Sequence, residues 1–168
     1  MNLLESPVIA EVRRNHGLEH ATIHVLTERF RPIRLAGRAT ENGFFVYGDV
    51  KTEDVLSAAQ EALTRFNKGE THWAVHPGCG TNLVTTGVLA GLGSFLMLGI
   101  TPKRAPWWDR LPSAVLGAMA GAMGGVYAGP WMQANVTTSA DMRGLSVTKI
   151  TRQQTGKLIT HFVHTQRE

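Results

Sequence analysis

The sequence predicts an α+β protein: a small polar domain of order α-β-β-α followed by β-β, split by an inserted two-helix transmembrane hairpin. Three observations support this prediction: two long segments without charge, helical periodicity before them, and β-prone runs on both sides of them. Of the 168 residues, 43% are hydrophobic and 18% are charged, whereas soluble domains average about 25% charged residues. The uneven charge excludes an ordinary soluble globule and a disordered chain.

The segments without charge have the length of membrane spans. No Asp, Glu, Lys or Arg occurs in residues 71–102 or in residues 111–140. Within these segments, residues 82–100 and 112–132 are each close to the roughly 20 residues that cross a bilayer core. The prolines, basic residues and tryptophans between them suit a turn at a membrane interface. We therefore expect a hairpin that crosses the lipid bilayer twice.

The hairpin divides the chain into three parts. Residues 1–80 are the first part of the polar domain, residues 81–134 the hairpin, and residues 135–168 a β-hairpin that completes the polar domain. Two spans return the C-terminus to the side of the N-terminus, and no cleavable signal peptide is indicated. We expect a bacterial inner-membrane protein with both termini in the cytoplasm. Basic residues flank the spans on both sides, so the positive-inside rule leaves either orientation open.

Small residues recur at every fourth position of the second span. This glycine ladder consists of Ser113, Gly117, Gly121, Gly125 and Gly129. Because lipid provides no hydrophobic drive for helix association, such a face indicates close packing of helix backbones. Two kinds of partner fit the ladder equally: the other span of the same hairpin, or another membrane protein subunit, which includes a second copy of the chain.

Capping and turn residues indicate the elements of the polar domain. Ser6 precedes a proline and begins a first helix. Asn-Gly at residues 42–43, between two β-prone runs, predicts a β-hairpin. Thr52 would cap a second helix that ends at Lys-Gly, residues 68–69. The runs LSVTKIT and KLITHFVHT, on either side of residues 153–156, predict two last strands that complete the sheet.

The first helix contains the most informative residues of the sequence. At about 100° per residue, His16, Glu19 and His20 fall within or beside its apolar face. The opposite side carries the charged residues Glu11, Arg14, Glu28 and Arg29. A buried carboxylate must be paired, protonated or linked to a metal. Histidines four residues apart can hold one metal ion, and a neighbouring Glu can accept a proton from metal-bound water. The pattern predicts a zinc site with His16 and His20 as ligands and Glu19 as the catalytic base.

Residues 16–20 form an H-x-x-E-H motif, which resembles that of the inverted zincin metallopeptidases. The resemblance implies that both histidines bind zinc and that the glutamate is the general base. Members of that family are large soluble enzymes whose third ligand is a Glu on a later helix. In this chain, the acidic residues of the second helix lie away from its apolar stripe, so none of them is a good third ligand.

The segment before the first span offers other third ligands. His76 and Cys79 lie three residues apart in a loop shaped by proline and glycine, and both residue types suit zinc. His72 lies in the same segment. His161 and His164 of the last strand lie on opposite faces of that strand, so at most one of them joins the same site.

Two longer motifs resemble a broader family. Residues 15–22 give N-H-x-L-E-H-A-T, and residues 76–82 give H-P-x-C-G-T-N just before the hairpin. Both are similar to motifs of small uncharacterised bacterial membrane proteins with two spans, and the similarity covers most of the chain. The resemblance implies that the two motifs belong to one site, and it implies no activity.

The charge pattern bears on the partners of the chain. The net charge is +4 with neutral His, and the basic residues are scattered along the sequence. A nucleic-acid-binding protein would more often cluster its basic residues and interleave them with aromatic ones. We therefore expect a basic surface beside an anionic lipid leaflet and no nucleic-acid partner. A single cysteine excludes an internal disulfide.

Two functions fit the sequence. The first is a membrane-anchored zinc-dependent hydrolase, peptidase-like, acting at the membrane surface. The alternative is a non-catalytic accessory subunit of a larger membrane complex, such as a bioenergetic one, attached through the glycine ladder. For His16, Glu19 and His20, three explanations stay open: a buried hydrogen-bonded cluster, a bound transition metal, or ligation of a haem or pigment. His24 is expected at the surface or edge of its helix.

Overall fold

The computed structural model describes residues 3–102, 104 and 106–167, and it shows an α+β fold. The helices and strands, in chain order, are α1 (Pro7–Arg29), β1 (Ala36–Thr40), β2 (Gly43–Tyr47), α2 (Thr52–Asn67), α3 (Gly80–Ile100), α4 (Trp107–Met132), β3 (Leu145–Thr155) and β4 (Leu158–Arg167). The chain forms two compact units. We call residues 1–76 with 134–168 the polar unit, and residues 77–133 the hairpin unit.

The sheet of the polar unit joins strands from both ends of the chain. Its order is β1-β2-β4-β3, and all neighbouring strands are antiparallel. Strand β4 lies directly beside β2, with Phe45 opposite Phe162 and Val46 opposite His161. The predicted α+β class is therefore confirmed, and the C-terminal hairpin completes the sheet that the first hairpin begins.

One face of the sheet packs against α1 and α2. The largest apolar side chains of this core include Leu18 and Leu26 from α1, Phe44 and Val46 from β2, and Val163 from β4, all at most 1% exposed. Alternate residues of each strand face this core because side chains alternate between the two faces of a strand. Burial of apolar surface on this one face is what fixes α1 in place above β1 and β2.

Buried polar contacts fix the position of α1 more closely. The Asn15 amide, fully buried, donates to the carbonyl oxygens of Thr40 at 2.9 Å and Glu41 at 3.1 Å, and its oxygen accepts from the Thr165 hydroxyl at 2.7 Å. Gly17 lies so close to the Ser139 carbonyl oxygen that any Cβ would overlap it. This close approach explains why a poor helix former occupies the middle of the motif.

Two local predictions were wrong in detail. Helix α2 has Lys51 as its N-cap, and Thr52 is its first residue, whose hydroxyl lies 3.2 Å from His161 Nε2. That contact draws the Thr52 side chain towards the sheet and away from a capping role. Strand β3 continues through Gln153, and the turn falls at Gly156, where φ is +61°. Positive φ favours glycine, which places the turn there.

The hairpin unit pairs α3 with α4. Two segments, Gly80–Ile100 and Trp107–Thr137, are long and apolar enough to cross a membrane. At Gly117, Gly121, Gly125 and Gly129, an added Cβ would overlap α3 atoms; a Cβ at Gly129, for example, would lie 2.6 Å from Asn82 Oδ1. These four positions of the glycine ladder thus bring the two helix backbones of the same hairpin into contact. Ser113 is half-buried.

Candidate metal centre

Four imidazoles lie together in the polar unit. Helix α1 presents His16, His20 and His24 at every fourth position, and His76 joins them from the segment after α2. The ring centroids of His16 and His20 lie 4.4 Å apart, those of His20 and His76 5.7 Å, and those of His24 and His76 4.5 Å. His20 is 2% exposed. We call these four residues the imidazole cluster.

The spacing of these rings suits ligands of one small cation. Zinc binds imidazole nitrogen at about 2.0–2.1 Å, and at tetrahedral angles two such rings have centroids roughly 5 Å apart. The three measured separations, from 4.4 to 5.7 Å, bracket that value. Neighbouring rings are therefore close enough to bind one cation pair by pair, whereas His16 and His24 lie two helical turns apart on α1, roughly 12 Å along its axis, and would not share it.

Backbone carbonyls fix which nitrogen of three rings is protonated. His16 Nδ1 lies 2.9 Å from the Thr137 carbonyl oxygen, and His20 Nδ1 lies 2.7 Å from that of Ala74. His24 Nε2 lies 3.1 Å from the Val75 carbonyl oxygen. A carbonyl oxygen only accepts, so each of these nitrogens donates its hydrogen, and the other nitrogen of each neutral ring has the lone pair that binds metals.

His76 is held in its neutral form. Burial lowers the pKa of its imidazole to about 4, and the nearby rings of His24 and His20 lower it in the same direction. A positive charge on the His76 ring would be costly in this half-buried place. At neutral pH the His76 ring is therefore unprotonated, which is the state a metal ligand requires.

The short helical turn Thr71–Ala74 positions two of the carbonyls. Trp73 anchors this turn: its indole N–H donates to Glu70 at 3.0 Å, and the Arg65 guanidinium lies 3.8 Å from its ring centroid. The Trp73 ring also packs edge-on against His24, with centroids 5.4 Å apart. Arg65 of α2 thus supports the cluster through its contact with Trp73.

Glu19 is buried, as its inward position on α1 predicts. It is 4% exposed, and its carboxylate packs directly on the backbone of Gly37 in β1, where any Cβ would overlap it. Only glycine accommodates this contact, and the carboxylate therefore lies on the sheet side of α1. Burial of a carboxylate at this cost calls for polar partners or a nearby cation.

The remaining histidines and the cysteine each have different surroundings. His72 is exposed, His161 contacts Thr52, and the hydroxyl of Thr151 lies 3.0 Å from His164 Nε2. Cys79 belongs to the hairpin unit, where it caps α3 and its sulfur accepts from the Thr81 N–H at 3.4 Å.

Sequence reasoning missed His24 as a member of the cluster. It follows His20 by four residues, as His20 follows His16, and this repeat is the signal that could have identified it. The helical projection placed His24 at the edge of the apolar face because the projection contains no information about His76, which covers that edge.

The fold and the cluster define the class of the protein: an α+β protein with a group of buried and half-buried histidines and two helices apolar enough to cross a membrane. The chain belongs to the family of a domain of unknown function, DUF6391, which matches residues 11–150. An uncharacterized protein of Picosynechococcus sp. (strain PCC 7002) is 37% identical over 99 residues, which cover 51% of this chain. The match spans 48% of that relative's length. No solved structure matches the chain.

Proposed function

We propose that the chain is a membrane-anchored zinc-binding protein that acts as a hydrolase, peptidase-like, at the membrane surface. The observation that best supports this is the set of ring N–H groups donated to the backbone carbonyls of Thr137, Ala74 and Val75. Histidines that bind metals almost always donate their other N–H in this way, which fixes the ring and raises its basicity. A cluster of surface histidines would not need three such bonds.

His16 and His20 would be the first two ligands, as their spacing on one helix face favours. His76 would be the third, because its ring is neutral and lies 5.7 Å from that of His20. Cys79, three residues further along the chain, is the other candidate, since a thiolate is a preferred zinc ligand. Three protein ligands leave one tetrahedral position for water, as hydrolysis requires.

Glu19 would be the catalytic base. Zinc lowers the pKa of a bound water to about 7, and a carboxylate beside the site would accept its proton. In the proposal the carboxylate leaves Gly37 by a change of side-chain rotamer when substrate binds. The two spans would fix the site in the bacterial inner membrane, with both termini on the cytoplasmic side.

The second candidate is a non-catalytic subunit of a larger membrane complex. One observation favours it: the Glu19 carboxylate packs on Gly37 of β1, on the sheet side of α1. On α3, Gly87 and Gly91 face open space, so they would provide the surface that meets another subunit. Such a site would hold its metal for structure alone.

Metal analysis of the purified full chain tests the proposal. We expect about one zinc per chain, retained in a His72→Ala variant and lost in His16→Ala and His20→Ala variants. His72 is the matched control because it is exposed and lies in the same segment as His76. A metal content that is negligible, or equal in all four proteins, would contradict zinc binding.

A Glu19→Gln variant separates the two candidates. The hydrolase proposal expects normal zinc content and the loss of peptide hydrolysis, measured on a library of quenched fluorescent peptides with membrane vesicles present. If zinc is retained and the wild-type chain hydrolyses nothing that the variant does not, the accessory-subunit function is favoured.

A further inference from the structure

The second face of the sheet has a different character from the face that packs on the helices. Phe44, Val46 and Val163 point into the core. Because side chains alternate along a strand, Phe45 and Phe162 point to the opposite face. This outer face is formed by all four strands, and its two central strands, β2 and β4, contribute its aromatic residues.

Four rings form a continuous row across the outer face. Tyr47 stacks beside Phe45 with centroids 5.9 Å apart and planes 16° apart. Phe45 meets Phe162 at 4.5 Å, and Phe162 meets His164 at 4.5 Å. Each ring is half-buried, so part of its surface is open to solvent. We call these four residues the aromatic row.

A shallow cleft lies along the aromatic row. Its volume is about 310 Å³, and its walls combine Phe45 and Phe162 with polar side chains. The polar residues are Thr151, Gln153, Thr160 and His164. The cleft thus offers ring faces for stacking, with hydroxyl, amide and imidazole groups beside them for hydrogen bonds.

All formal charges on the four strands are positive. None of the four strands contains Asp or Glu. Arg38 on β1 is paired with Phe45, and Lys149 on β3 is paired with His164, so both exposed cations flank the aromatic row on its own face. These two residues are far apart in sequence, and only the strand register brings them to one surface.

We propose that this outer face binds single-stranded nucleic acid, in contrast to the expectation from the scattered basic residues of the sequence, because the strand register brings cations and aromatic rings to one surface. Two or three bases would stack on the aromatic row, as bases do on the exposed aromatic residues of other four-stranded sheets. Arg38 and Lys149 would contact the phosphates on either side of the row. A neutral glycan would gain little from the two cations, whereas an anionic bilayer surface would also attract them and is therefore a competing outcome of the test.

The proposal is independent of the metal centre, and binding to labelled oligonucleotides tests it. Fluorescence anisotropy would follow single-stranded RNA and DNA of about ten nucleotides with the full chain in detergent micelles. We expect a Phe162→Leu variant to bind roughly tenfold more weakly, because stacking on the ring is lost. Phe30→Leu is the matched control, since Phe30 is an exposed ring outside the sheet, and its affinity should equal that of the wild type.

Two further measurements make the test decisive. An Arg38→Gln, Lys149→Gln variant should lower the slope of log affinity against log salt by up to about 1.4, that is about 0.7 for each lost phosphate contact. Phe162→Leu should leave that slope unchanged. Equal affinity for a duplex of the same length, equal affinity in Phe162→Leu, or displacement by anionic phosphatidylglycerol vesicles but not by unlabelled oligonucleotide would each overturn the proposal. Circular dichroism of each variant confirms that it is folded.

Discussion

Helices α1 and α4 both repeat one residue type at every fourth position, with opposite consequences. On α1 the repeat is histidine, and the rings meet backbone carbonyls and the ring of His76. On α4 the repeat is glycine, and the bare backbone meets the backbone of α3. The spacing alone creates a face on each helix. What that face does depends on whether it presents ligand atoms or allows close approach.

The largest expected effect comes from filling the glycine face. Gly121→Leu should lower the free energy of unfolding by about 3 kcal/mol, because the new side chain overlaps the Leu89 carbonyl. Gly124→Leu is the control, since a Cβ at Gly124 meets nothing within 4 Å. Unfolding of both variants in detergent, followed by circular dichroism, would measure the difference. Equal transition midpoints would refute the assignment of the ladder to packing within the hairpin.

A smaller loss of stability is expected when the polar contacts that Asn15 makes from α1 are removed. Asn15→Ala should destabilise the chain by about 2 kcal/mol, because it leaves the partly buried hydroxyl of Thr165 and the carbonyl oxygens of Thr40 and Glu41 without this partner. Asn67→Ala, at the exposed end of α2, should have little effect. Thermal unfolding compares the two. A midpoint for Asn15→Ala as high as for Asn67→Ala would show that this anchor contributes little.

A still smaller effect is expected at His24, the third histidine of the repeat on α1. His24→Ala should weaken zinc binding about tenfold, as expected for a residue that supports a ligand or serves as one. His72→Ala should leave the affinity unchanged, because His72 is exposed. Competition with a fluorescent chelator measures both. Equal zinc affinity in the two variants would show that His24 does not contribute to zinc binding.

The smallest expected effect is a dependence of stability on pH. The folded pKa of His76 is about 4, below the ordinary value of 6.5 for histidine. Between these values the unfolded chain binds more protons, so the stability of the metal-free chain should rise with pH over that window. The gain should be about 1 kcal/mol, because the half-buried ring stays partly solvated. His76→Gln should remove this contribution, and an unchanged pH dependence in that variant would assign it to other groups.

Much of the fold follows from local patterns. The Ser6 start of α1, the β-hairpin of β1 and β2 and the α+β class all depend on residues close together in the chain, although the hairpin turn falls at residues 41–42 and Gly43 already belongs to β2. The burial of Glu19 also follows, because helical periodicity shows which side of one helix faces the core.

The site is only partly accessible from the sequence. His16 and His20 could be identified, since they lie on one helix. The roles of His24 and Asn15 could not, because their partners, such as His76 and Thr165, come from distant segments. The aromatic row could not be predicted from the sequence for the same reason, because it depends on the pairing of β2 with β4.

X-ray absorption at the zinc edge, on the full chain purified in detergent, tests the central claim most directly. The account predicts about one zinc per chain with imidazole nitrogens at about 2.0–2.1 Å and the outer-shell scattering of histidine rings. The signal should fall with His20→Ala and persist with His72→Ala. A chain without stoichiometric zinc, or zinc surrounded only by oxygen, would contradict the claim that the imidazole cluster is a metal centre.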